Sequence, residues 1–273
     1  EILKMTVAKV RHFEPVQTDS VNVLPSALVI GAGIAGLTTA LALGDQGYVV
    51  HLVEREDAPG GLIKNVYRTL DGSDVQAFLS ETINKVDKHP KISLYTGVEV
   101  KKTDGFVGNF KTTLTDGNSL EHGAIVIATG GAEYKPDEYS YPESEAIITQ
   151  RDLEKSLETE DFPSNTSFAM IQCVGSREEP NNYCSRICCQ DAVKNAIAIK
   201  NKYPQAQVTI FYRDIRTYGL REEYFQQARS LGVLFVRFEP EHKPEVSIER
   251  DKINIRAYDF LLNRDILVQA DYL

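Results

Sequence analysis

The residues of this chain best suited to chemistry are its four cysteines, and all of them lie in one short stretch. That stretch is too local for the disulfide framework of a small secreted protein. Thiolates grouped this closely are typical of an iron–sulfur cluster, a zinc site or a redox-active dithiol. The sequence therefore predicts a metal or redox site in a reducing compartment, at Cys173, Cys184, Cys188 and Cys189.

A glycine-rich turn after an apolar run is the second chemical signal. It has the pattern G-x-G-x-x-G, in which Gly31 permits a tight turn, Gly33 lets a pyrophosphate approach the backbone and Gly36 lets helix and strand pack closely. Ala35 lies within the same motif. The helix that starts here would present unpaired N–H groups and its positive end to phosphates. Glu54 ends the next strand, where a carboxylate can accept from ribose hydroxyls, so the pattern predicts dinucleotide binding.

The residues after Glu54 favour FAD over a nicotinamide cofactor. A paired glycine, Gly60-Gly61, lets the chain pass close to a long, extended cofactor. Thr129-Gly130 ends the strand that closes this half, where backbone must again come near the ligand. Val100 lies where flavoproteins with paired dinucleotide-binding folds commonly pair their backbone with adenine. The predicted FAD contacts outside the glycine turn and Glu54 are Arg55, Gly60, Gly61, Val100, Thr129 and Gly130.

The second half of the chain lacks the corresponding glycine turn. Its first strand, Phe168–Gln172, runs into Cys173 and the other cysteines, and no closely spaced glycines follow. Without them a pyrophosphate cannot easily approach the backbone, so we do not expect this half to bind NAD(P)H. Arg213, after the second strand, could meet a 2′-phosphate, but we interpret it as a solvated arginine.

The cysteine spacing leaves three kinds of site open. Cys184 and Cys188 are four residues apart and would share a helix face if that turn is helical, whereas Cys189 would then point about 100° away. All four thiols can converge only if the turn before the helix is irregular. We favour a [4Fe–4S] cluster over structural zinc and a redox disulfide, because a cluster can exchange electrons with a nearby flavin and zinc cannot. Neither candidate dithiol pair, Cys188-Cys189 or Cys184/Cys188, has the C-x-x-C spacing that is typical of a redox dithiol.

The elements that must position these residues repeat one plan twice. Each half is predicted to contain a strand, a helix, a second strand, a further helix, a third strand and a small antiparallel meander. Strands that alternate with helices imply parallel sheets, so we predict an α/β protein with two Rossmann-like dinucleotide-binding domains. The predicted helices cover residues 34–45, 74–88, 151–157, 186–201 and 222–231, and turns are predicted at Asp104-Gly105 and Asp116-Gly117-Asn118.

This plan divides the chain into four regions. We predict an N-terminal helix and linker at 1–24, an FAD-binding domain at 25–135, a linker at 136–165 and a second nucleotide-type domain at 166–273 that carries the cysteines. The chain does not begin with methionine, and Ala270–Leu273 ends in what looks like a strand. We therefore expect a piece of a longer protein, truncated in its second domain.

Composition and charge exclude several classes of function. Hydrophobic residues make up 42% of the 273 residues, enough for a full-sized core and too many for a disordered chain. The net charge of −9 argues against nucleic-acid binding. No apolar run reaches the length of a membrane span and no signal peptide opens the chain, so we expect a soluble, cytoplasmic protein without direct membrane insertion. The five histidines form no hydrolytic or metal-binding pattern.

Six stretches of the chain together resemble a known family. They are Ala27–Gly36, Tyr67–Thr69, Gly105–Phe110, Cys173–Arg177, Tyr183–Cys189 and Tyr212–Gly219. With these stretches nearly the whole chain resembles the A subunit of heterodisulfide reductases, and the flavin subunit of the quinone-interacting membrane-bound oxidoreductase is closely similar. The cysteine block is the most specific part of the match.

The resemblance implies FAD in a thioredoxin-reductase-like flavoprotein fold. It implies a [4Fe–4S] cluster on Cys173, Cys184, Cys188 and Cys189, and electron transfer or flavin-based bifurcation within a larger complex. It also makes Lys194 a candidate catalytic residue near the flavin ring, where an ammonium would stabilise reduced anionic flavin; the alternative is a solvated helix lysine. The implied partners are redox subunits like heterodisulfide reductase B and C, and hydrogenase or ferredoxin-type donors.

Three departures from the family pattern stand out. Many relatives insert a ferredoxin module before the end of the first half, and the stretch Gly105–Gly131 is too short and contains no cysteine. Further cluster-binding cysteines toward the termini are absent from this sequence. The segment that normally returns to the flavin after the second half is also absent.

The sequence thus predicts an FAD-dependent iron–sulfur oxidoreductase that relays or bifurcates electrons between partner proteins, with chemistry supplied by the cofactors. Two alternatives stay open. One is a pyridine-nucleotide disulfide oxidoreductase with a redox dithiol, and the other is a non-catalytic interaction module stabilised by zinc.

Overall fold

The computed structural model describes residues 1–14, 20–250 and 252–273. Its helices are α1 (Ile2–Val10), α2 (Ile34–Asp45), α3 (Val75–Lys88), α4 (Gln150–Thr159), α5 (Cys188–Lys202) and α6 (Glu222–Ser230). Its strands are β1 (Ser26–Ile30), β2 (Val49–Val53), β3 (Ile92–Tyr95), β4 (Val100–Phe106), β5 (Asn109–Leu114), β6 (Ser119–His122), β7 (Ala124–Ile127), β8 (Ser167–Ile171), β9 (Gln207–Tyr212), β10 (Leu234–Arg237), β11 (Glu245–Glu249), β12 (Lys252–Asp259) and β13 (Arg264–Ala270).

Contacts divide the chain into two units. The first unit comprises residues 1–59 and 86–128, and the second comprises 60–85 and 129–273. Segment 60–85, which contains most of α3, therefore belongs by contact to the second unit although it lies in the first half of the sequence.

A parallel sheet forms the centre of the first unit. Its strand order is β3-β2-β1-β7, with β1 paired to β2 from Ser26↔Val49 to Ile30↔Val53. Helix α2 provides the crossover between β1 and β2, because parallel neighbours cannot be joined by a tight turn. Apolar side chains on the central strands are completely buried, among them Leu28, Val29 and Leu52. This pattern is typical of a parallel sheet with covered faces.

The antiparallel meander β4-β5-β6 completes the first unit. The predicted turn at Asp104-Gly105 is wrong: Gly105 lies inside β4, opposite Phe110, and the chain turns at Val107-Gly108 instead. A β-carbon on Gly105 would lie 2.1 Å from the Asn109 carbonyl oxygen, so the glycine marks a close approach of two strands. The predicted turn at 116–118 is confirmed, with Asp116 accepting from the Asn118 N–H.

The second unit repeats this architecture. Its parallel sheet has the order β10-β9-β8, and residues 271–273 run beside β8 with a parallel bridge between Phe168 and Tyr272. These three residues occupy the position that β7 has beside β1 in the first unit. A second antiparallel meander follows the order β11-β12-β13. The predicted α/β fold with two Rossmann-like sheets, each with a meander, is therefore confirmed.

Helices α4, α5 and α6 pack against this second sheet through one hydrophobic core. Phe162 packs edge-on against Phe168 and Tyr272, with ring centroids 5.4 and 5.2 Å away. On α5, Ala192, Val193, Ala196 and Ile199 are almost completely buried. The helix that begins with two cysteines is thus firmly fixed along its length.

The start of α5 differs from the prediction. The helix begins at Cys188, two residues later than expected, because Arg186 has a left-handed backbone (φ +64°) that cannot continue into a helix. Cys184 lies before the helix, so the turn that contains it is not helical, and Cys184 and Cys188 do not share a helical face. No helix in the described ranges is long and apolar enough to cross a membrane.

Candidate functional site

The predicted glycine turn joins β1 to α2 in the first unit. Gly31 has a φ of +100°, which only glycine adopts easily, and a β-carbon on Gly36 would lie 1.8 Å from the Gly31 carbonyl oxygen. Gly33 is the N-cap residue of α2, no side chain caps it, and the space where its β-carbon would point is open. The first N–H groups of α2 are therefore accessible to an anion, as a phosphate site requires. Ala35 lies in this first turn.

Glu54 binds the glycine turn directly. Its Oε2 accepts from the Ala32 N–H at 2.7 Å, its Oε1 accepts from the Glu56 N–H at 3.0 Å, and the residue is buried. Each oxygen keeps a second lone pair for a ribose hydroxyl. Arg55 points away from this arrangement: its side chain is exposed and pairs with Glu56 at 3.3 Å.

Val100 opens β4, opposite Leu114, and a register shift follows it before Lys102. Its side chain packs against the buried cluster of Leu28, Val53 and Leu114. The structure thus brings Gly31, Gly33, Ala35, Gly36 and Glu54 together at the ends of β1 and β2, and places Val100 in the neighbouring meander.

Four further predicted FAD contacts belong to the second unit. Gly60 and Gly61 have positive φ angles of 122° and 55°; Gly60 precedes a 3₁₀ turn, Gly61–Asn65, and Gly61 begins it. Gly130 has a φ of +68°, and a β-carbon there would meet no heavy atom within 4 Å. Gly60, Gly61 and Gly130 therefore have backbone conformations that other residues rarely adopt. Thr129 directly precedes Gly130.

The cysteines lie on and beside the long loop between β8 and α5, where the sequence lacks a glycine turn. Cys173, Arg177 and Arg186 have left-handed backbones, which is uncommon for residues with side chains. The Arg177 N–H donates to the carbonyl oxygens of Asn181 and Tyr183, and folds the loop back on itself. The irregular chain that convergence of the thiols requires is therefore present.

The thiols of Cys188 and Cys189 are in hydrogen-bonding contact in the first turn of α5. The hydrogen bond from Cys189, with others from Ser185 and the backbone, lowers the pKa of Cys188 to about 6. The same contact and burial raise the pKa of Cys189, whose Sγ donates to the Asp214 carbonyl oxygen at 3.6 Å. Cys188 is therefore the thiol of this pair that most readily becomes a thiolate.

The other two thiols have different neighbours. Burial raises the pKa of Cys173, whose Sγ accepts from Arg177 Nη1 at 3.8 Å. The Sγ of Cys184 accepts from the Arg186 N–H at 3.3 Å. All four cysteines are free thiols. Within the described residues, no three His, Cys, Asp or Glu side chains are placed to hold one metal ion. Thiolates are nevertheless the donors that bind iron–sulfur clusters.

Charged residues that follow β9 form ion pairs with residues of this loop. Asp214 pairs with Arg177 and with Arg216, the latter at 3.3 Å. Arg213 is buried, pairs with Glu178 and lies 5.8 Å above the Phe238 ring. The interpretation of Arg213 as a solvated arginine is therefore wrong, because the loop supplies a carboxylate partner that the sequence did not reveal.

Unpaired polar atoms mark the same region. In the described part of the chain, the buried side-chain atoms without a hydrogen-bond partner are Gln172 Oε1, Arg213 Nε and Thr217 Oγ1. Gln172 directly precedes the cysteine loop, whereas Arg213 and Thr217 follow β9. Buried polar atoms usually have a hydrogen-bond partner. A cavity of about 340 Å³ also borders this loop, lined by Gln172, Cys173 and Cys188 among others. The cavity leaves room for a bound group beside Gln172.

Lys194 lies in the second unit, buried on α5. Its Nζ donates to Glu154 Oε2 at 2.7 Å and lies 3.6 Å from Asp191 Oδ1. Only 7% of the lysine is exposed, so the alternative of a solvated helix lysine is wrong. Sequence reasoning missed Glu154, since a glutamate between Leu153 and Leu157 on an amphipathic helix gives no distinctive signal.

Comparison with known proteins agrees with the geometry of the first unit. Residues 25–166, just over half of the chain, match the family model of pyridine nucleotide-disulphide oxidoreductases. A curated relative from Methanopyrus kandleri, an iron-sulfur A subunit of CoB–CoM heterodisulfide reductase, is 29% identical over 370 positions. The corresponding A subunit of Methanocaldococcus jannaschii is 30% identical over 369 positions. The alignments cover 100% and 99% of this chain but 56% of each relative, so the chain spans about half of their length.

Solved structures support the fold. The thioredoxin reductase of T. acidophilum superposes with a TM-score of 0.61 at 15% identity, over 90% of this chain and 74% of that protein. The Lactococcus lactis thioredoxin reductase gives 0.60 at 17% identity, over 90% and 75%. The predicted thioredoxin-reductase-like flavoprotein fold is confirmed. With its glycine turn, its paired α/β units and the matched family model, the chain belongs to the pyridine nucleotide-disulphide oxidoreductase family.

Proposed function

We propose that this chain is the flavin- and iron–sulfur-bearing electron-transfer part of a heterodisulfide-reductase-like complex. The observation that carries the proposal is the loop between β8 and α5. At the place where a second nucleotide-binding unit would hold phosphates, it presents Cys173, Cys184, Cys188 and Cys189. The relatives named as iron-sulfur subunits of heterodisulfide reductase support the same assignment.

FAD would be held by the glycine turn and Glu54, with the N-terminus of α2 facing its pyrophosphate. Arg55, Gly60, Gly61, Val100, Thr129 and Gly130 remain predicted contacts. The four cysteines would hold a [4Fe–4S] cluster. When bound, FAD exchanges electrons in pairs or singly, and the cluster takes them one at a time.

The chain's own residues would tune this chemistry. Arg177 donates to Cys173 and pairs with Asp214. The Arg216 backbone N–H donates to Cys189. A positive charge therefore lies beside the sulfur of Cys173, and an N–H group beside that of Cys189. Hydrogen bonds to sulfur and local charge set the potential of such a centre. Lys194 is proposed to stabilise reduced anionic flavin.

The partners we propose are other redox subunits, like heterodisulfide reductase B and C, and hydrogenase or ferredoxin-type donors. Electrons would be relayed or bifurcated between them. The four free thiols fit a reducing compartment, so we place the protein in the cytoplasm. A net charge of −9 gives no support to a nucleic-acid partner.

Anaerobic purification and reconstitution with FAD, iron and sulfide test the proposal. We expect stoichiometric flavin, four iron and four sulfide per chain, following from the proposed [4Fe–4S] cluster. Cys188→Ser should lose the iron and its broad visible absorption while it retains the flavin. Ser176→Ala, in the same loop, is the matched control and should keep both.

A second candidate function rests on the contact between Cys188 and Cys189. Two adjacent thiols can release two electrons and two protons and form a disulfide, as a dithiol reductase requires. Flavin without iron, together with two thiols that are lost on oxidation and return on reduction, would establish this candidate. Zinc without iron or flavin would instead establish the non-catalytic interaction module, for which the structure offers no separate support.

A further inference from the structure

Two ion pairs in the second unit join the cysteine loop to the segment that follows β9. Arg177 of the loop pairs with Asp214, and Glu178, the next residue, pairs with Arg213. Neighbouring loop residues of opposite charge therefore meet neighbouring residues of opposite charge, in reversed order along the chain. The other carboxylate oxygen of Glu178 pairs with Lys243, in the turn between β10 and β11. One loop carboxylate thus binds cations from two separate segments.

The segment after β9 is the fixed side of this contact. The Arg213 side chain is 7% exposed, and its guanidinium lies 5.8 Å from the centre of the buried Phe238 ring. Its backbone carbonyl oxygen accepts from Arg237 Nε at 3.2 Å. Arg213 Nη1 also donates to the Arg177 carbonyl oxygen at 3.3 Å. Because a buried cation without its carboxylate is costly, Arg213 favours the loop arrangement that supplies Glu178.

The loop is the irregular side of the contact. Residues 173–187, all of which the structure describes, contain no helix or strand beyond an isolated bridge between Glu178 and Asn181. A shift of the loop by one residue would place Arg177 against Arg213, or Glu178 against Asp214. Either shift brings like charges together, so the order of the charges disfavours the neighbouring registers.

The register matters because Asp214 is linked to the first and the last of the four cysteines. Its carboxylate pairs with Arg177, whose Nη1 donates to Cys173 Sγ at 3.8 Å. Its carbonyl oxygen accepts from Cys189 Sγ at 3.6 Å. Cys173 and Cys189 are 9% and 2% exposed, so a reagent reaches these thiols when the loop moves.

We propose that the two ion pairs form a register lock, which fixes the cysteine loop against the segment after β9 and keeps the first and last cysteines beside Asp214. Glu178 and Arg213 are its positioning residues, because they act on the sulfur atoms through the loop backbone. The lock arranges the thiols before any cluster binds. Its role toward a cluster rests on the proposed function, whereas its effect on the free thiols does not.

Alkylation of the full chain without cofactors tests the lock. Glu178→Gln removes a charge from the loop and leaves the buried Arg213 cation without its carboxylate. N-ethylmaleimide, a neutral reagent, should then modify Cys173 and Cys189 about tenfold faster than in the wild type, because an amide binds a guanidinium more weakly than a carboxylate does. Mass spectrometry of the digested chain measures each cysteine separately.

Glu179→Gln is the matched control. Glu179 is the next residue, is exposed and accepts from the Asn182 side chain within the loop. Its variant removes the same charge from the same loop but leaves Arg213 paired, so both cysteines should keep their wild-type rates. Salt gives a second readout, since screening weakens ion pairs. Alkylation of the wild type should accelerate with added NaCl, and Glu178→Gln should respond less.

Charge reversal separates the lock from a general need for these side chains. Glu178→Arg and Arg213→Glu each bring like charges together and should accelerate alkylation more than Glu178→Gln does. The combined variant restores opposite charges, so its rates should return toward the wild type. If Arg213→Glu does not fold, Lys243→Glu combined with Glu178→Arg makes the same test at the exposed end of the lock.

Iron release tests the role toward a cluster. After reconstitution with FAD, iron and sulfide, Glu178→Gln should lose iron to a chelator faster than the wild type and Glu179→Gln. Equal release would overturn this role. Unchanged alkylation of Cys173 and Cys189 in Glu178→Gln, or additive acceleration in the combined reversal, would overturn the lock itself. A wild-type chain that assembles no cluster would overturn the proposed function instead, and alkylation would still decide on the lock.

Discussion

At the scale of single residues, the fold buries several polar side chains and gives most of them specific partners. His122 is the clearest case in the first unit: its ring is completely buried and stacks on Phe110. Nε2 lies 2.8 Å from Thr112 Oγ1, and Nδ1 lies 3.0 Å from the Ala124 carbonyl oxygen. Because a carbonyl only accepts, Nδ1 carries a proton, and in the neutral ring Nε2 then accepts from the threonine hydroxyl. The neutral ring therefore fits the site.

This arrangement predicts a loss of stability in mild acid. Burial lowers the pKa of His122 from 6.5, so below that pH the unfolded chain binds a proton that the folded chain does not. Stability is full above about pH 6.5 and falls by at most about 1.4 kcal/mol for each pH unit below it, down to the folded-state pKa. Urea unfolding between pH 7.5 and 5.5 measures this slope.

The slope should be smaller in His122→Asn. His51 contributes in the same direction, because burial also lowers its pKa, so some dependence will remain. His12→Asn, in the exposed segment after α1, is the control and should keep the wild-type slope. Equal slopes for wild type and His122→Asn would contradict the prediction.

At the scale of elements, the start of α4 differs from the starts of α2 and α5. Helices α2 and α5, which follow the glycine turn and the cysteine loop, begin without a side-chain cap. Helix α4 begins with a complete capping box, in which Thr149 Oγ1 accepts from the Asp152 N–H at 3.2 Å and Asp152 accepts from the Thr149 N–H at 3.3 Å. Uncapped N–H groups remain available for a ligand, whereas a capped helix is stabilised from within.

The capping box of α4 is therefore expected to contribute to stability. Thr149→Ala should lower the free energy of unfolding by about 1 kcal/mol, because the Asp152 N–H loses its acceptor. Thermal unfolding followed by circular dichroism measures the change. Thr159→Ala, at the exposed C-terminal end of the same helix, should change stability by less than about 0.5 kcal/mol. A similar loss in both variants would argue against a specific role of the cap.

At the scale of the whole molecule, two units of the same plan have diverged at one connection. Each has a parallel sheet in the same strand order, with residues 271–273 in the place of β7. The connection after the first strand is a short glycine turn in one unit and a long cysteine loop in the other. The alignments to the relatives span 369 or 370 positions although this chain has 273 residues, so the relatives carry inserted sequence within the matched region.

Helix α1 is not packed against the other described parts of the first unit. None of its residues, Ile2–Val10, is buried against the described parts of the chain, and apolar side chains such as Leu3 are more than three-quarters exposed. Removal of residues 1–12 should therefore shift the thermal midpoint by less than about 1 °C, since no buried apolar area is lost. Leu37→Ala, at a completely buried position of α2, should by contrast cost about 2–5 kcal/mol. A clear destabilisation by the truncation would show that α1 packs in solution.

Local pattern was sufficient to predict most elements. Helix α2 begins and ends where expected, at Ile34 and Asp45, and α3 ends where expected, at Lys88. Apolar periodicity and glycine punctuation specify these elements because both act over a few neighbouring residues. The glycine turn and Glu54 were predicted for the same reason: the motif is contiguous and the acid ends the next strand.

Partners that are distant in sequence were decided by the tertiary structure alone. The sequence indicated Cys188 and Cys189 as site residues, but only the fold shows that their thiols touch and that Asp214 and Arg177 lie beside the cysteines. It likewise buries Arg213 and Lys194, which look like surface residues in the sequence. Burial and ion pairing depend on which segments the fold brings together. Residues 67–68, 154 and 194 lie far apart along the chain, so no local pattern could specify that they meet.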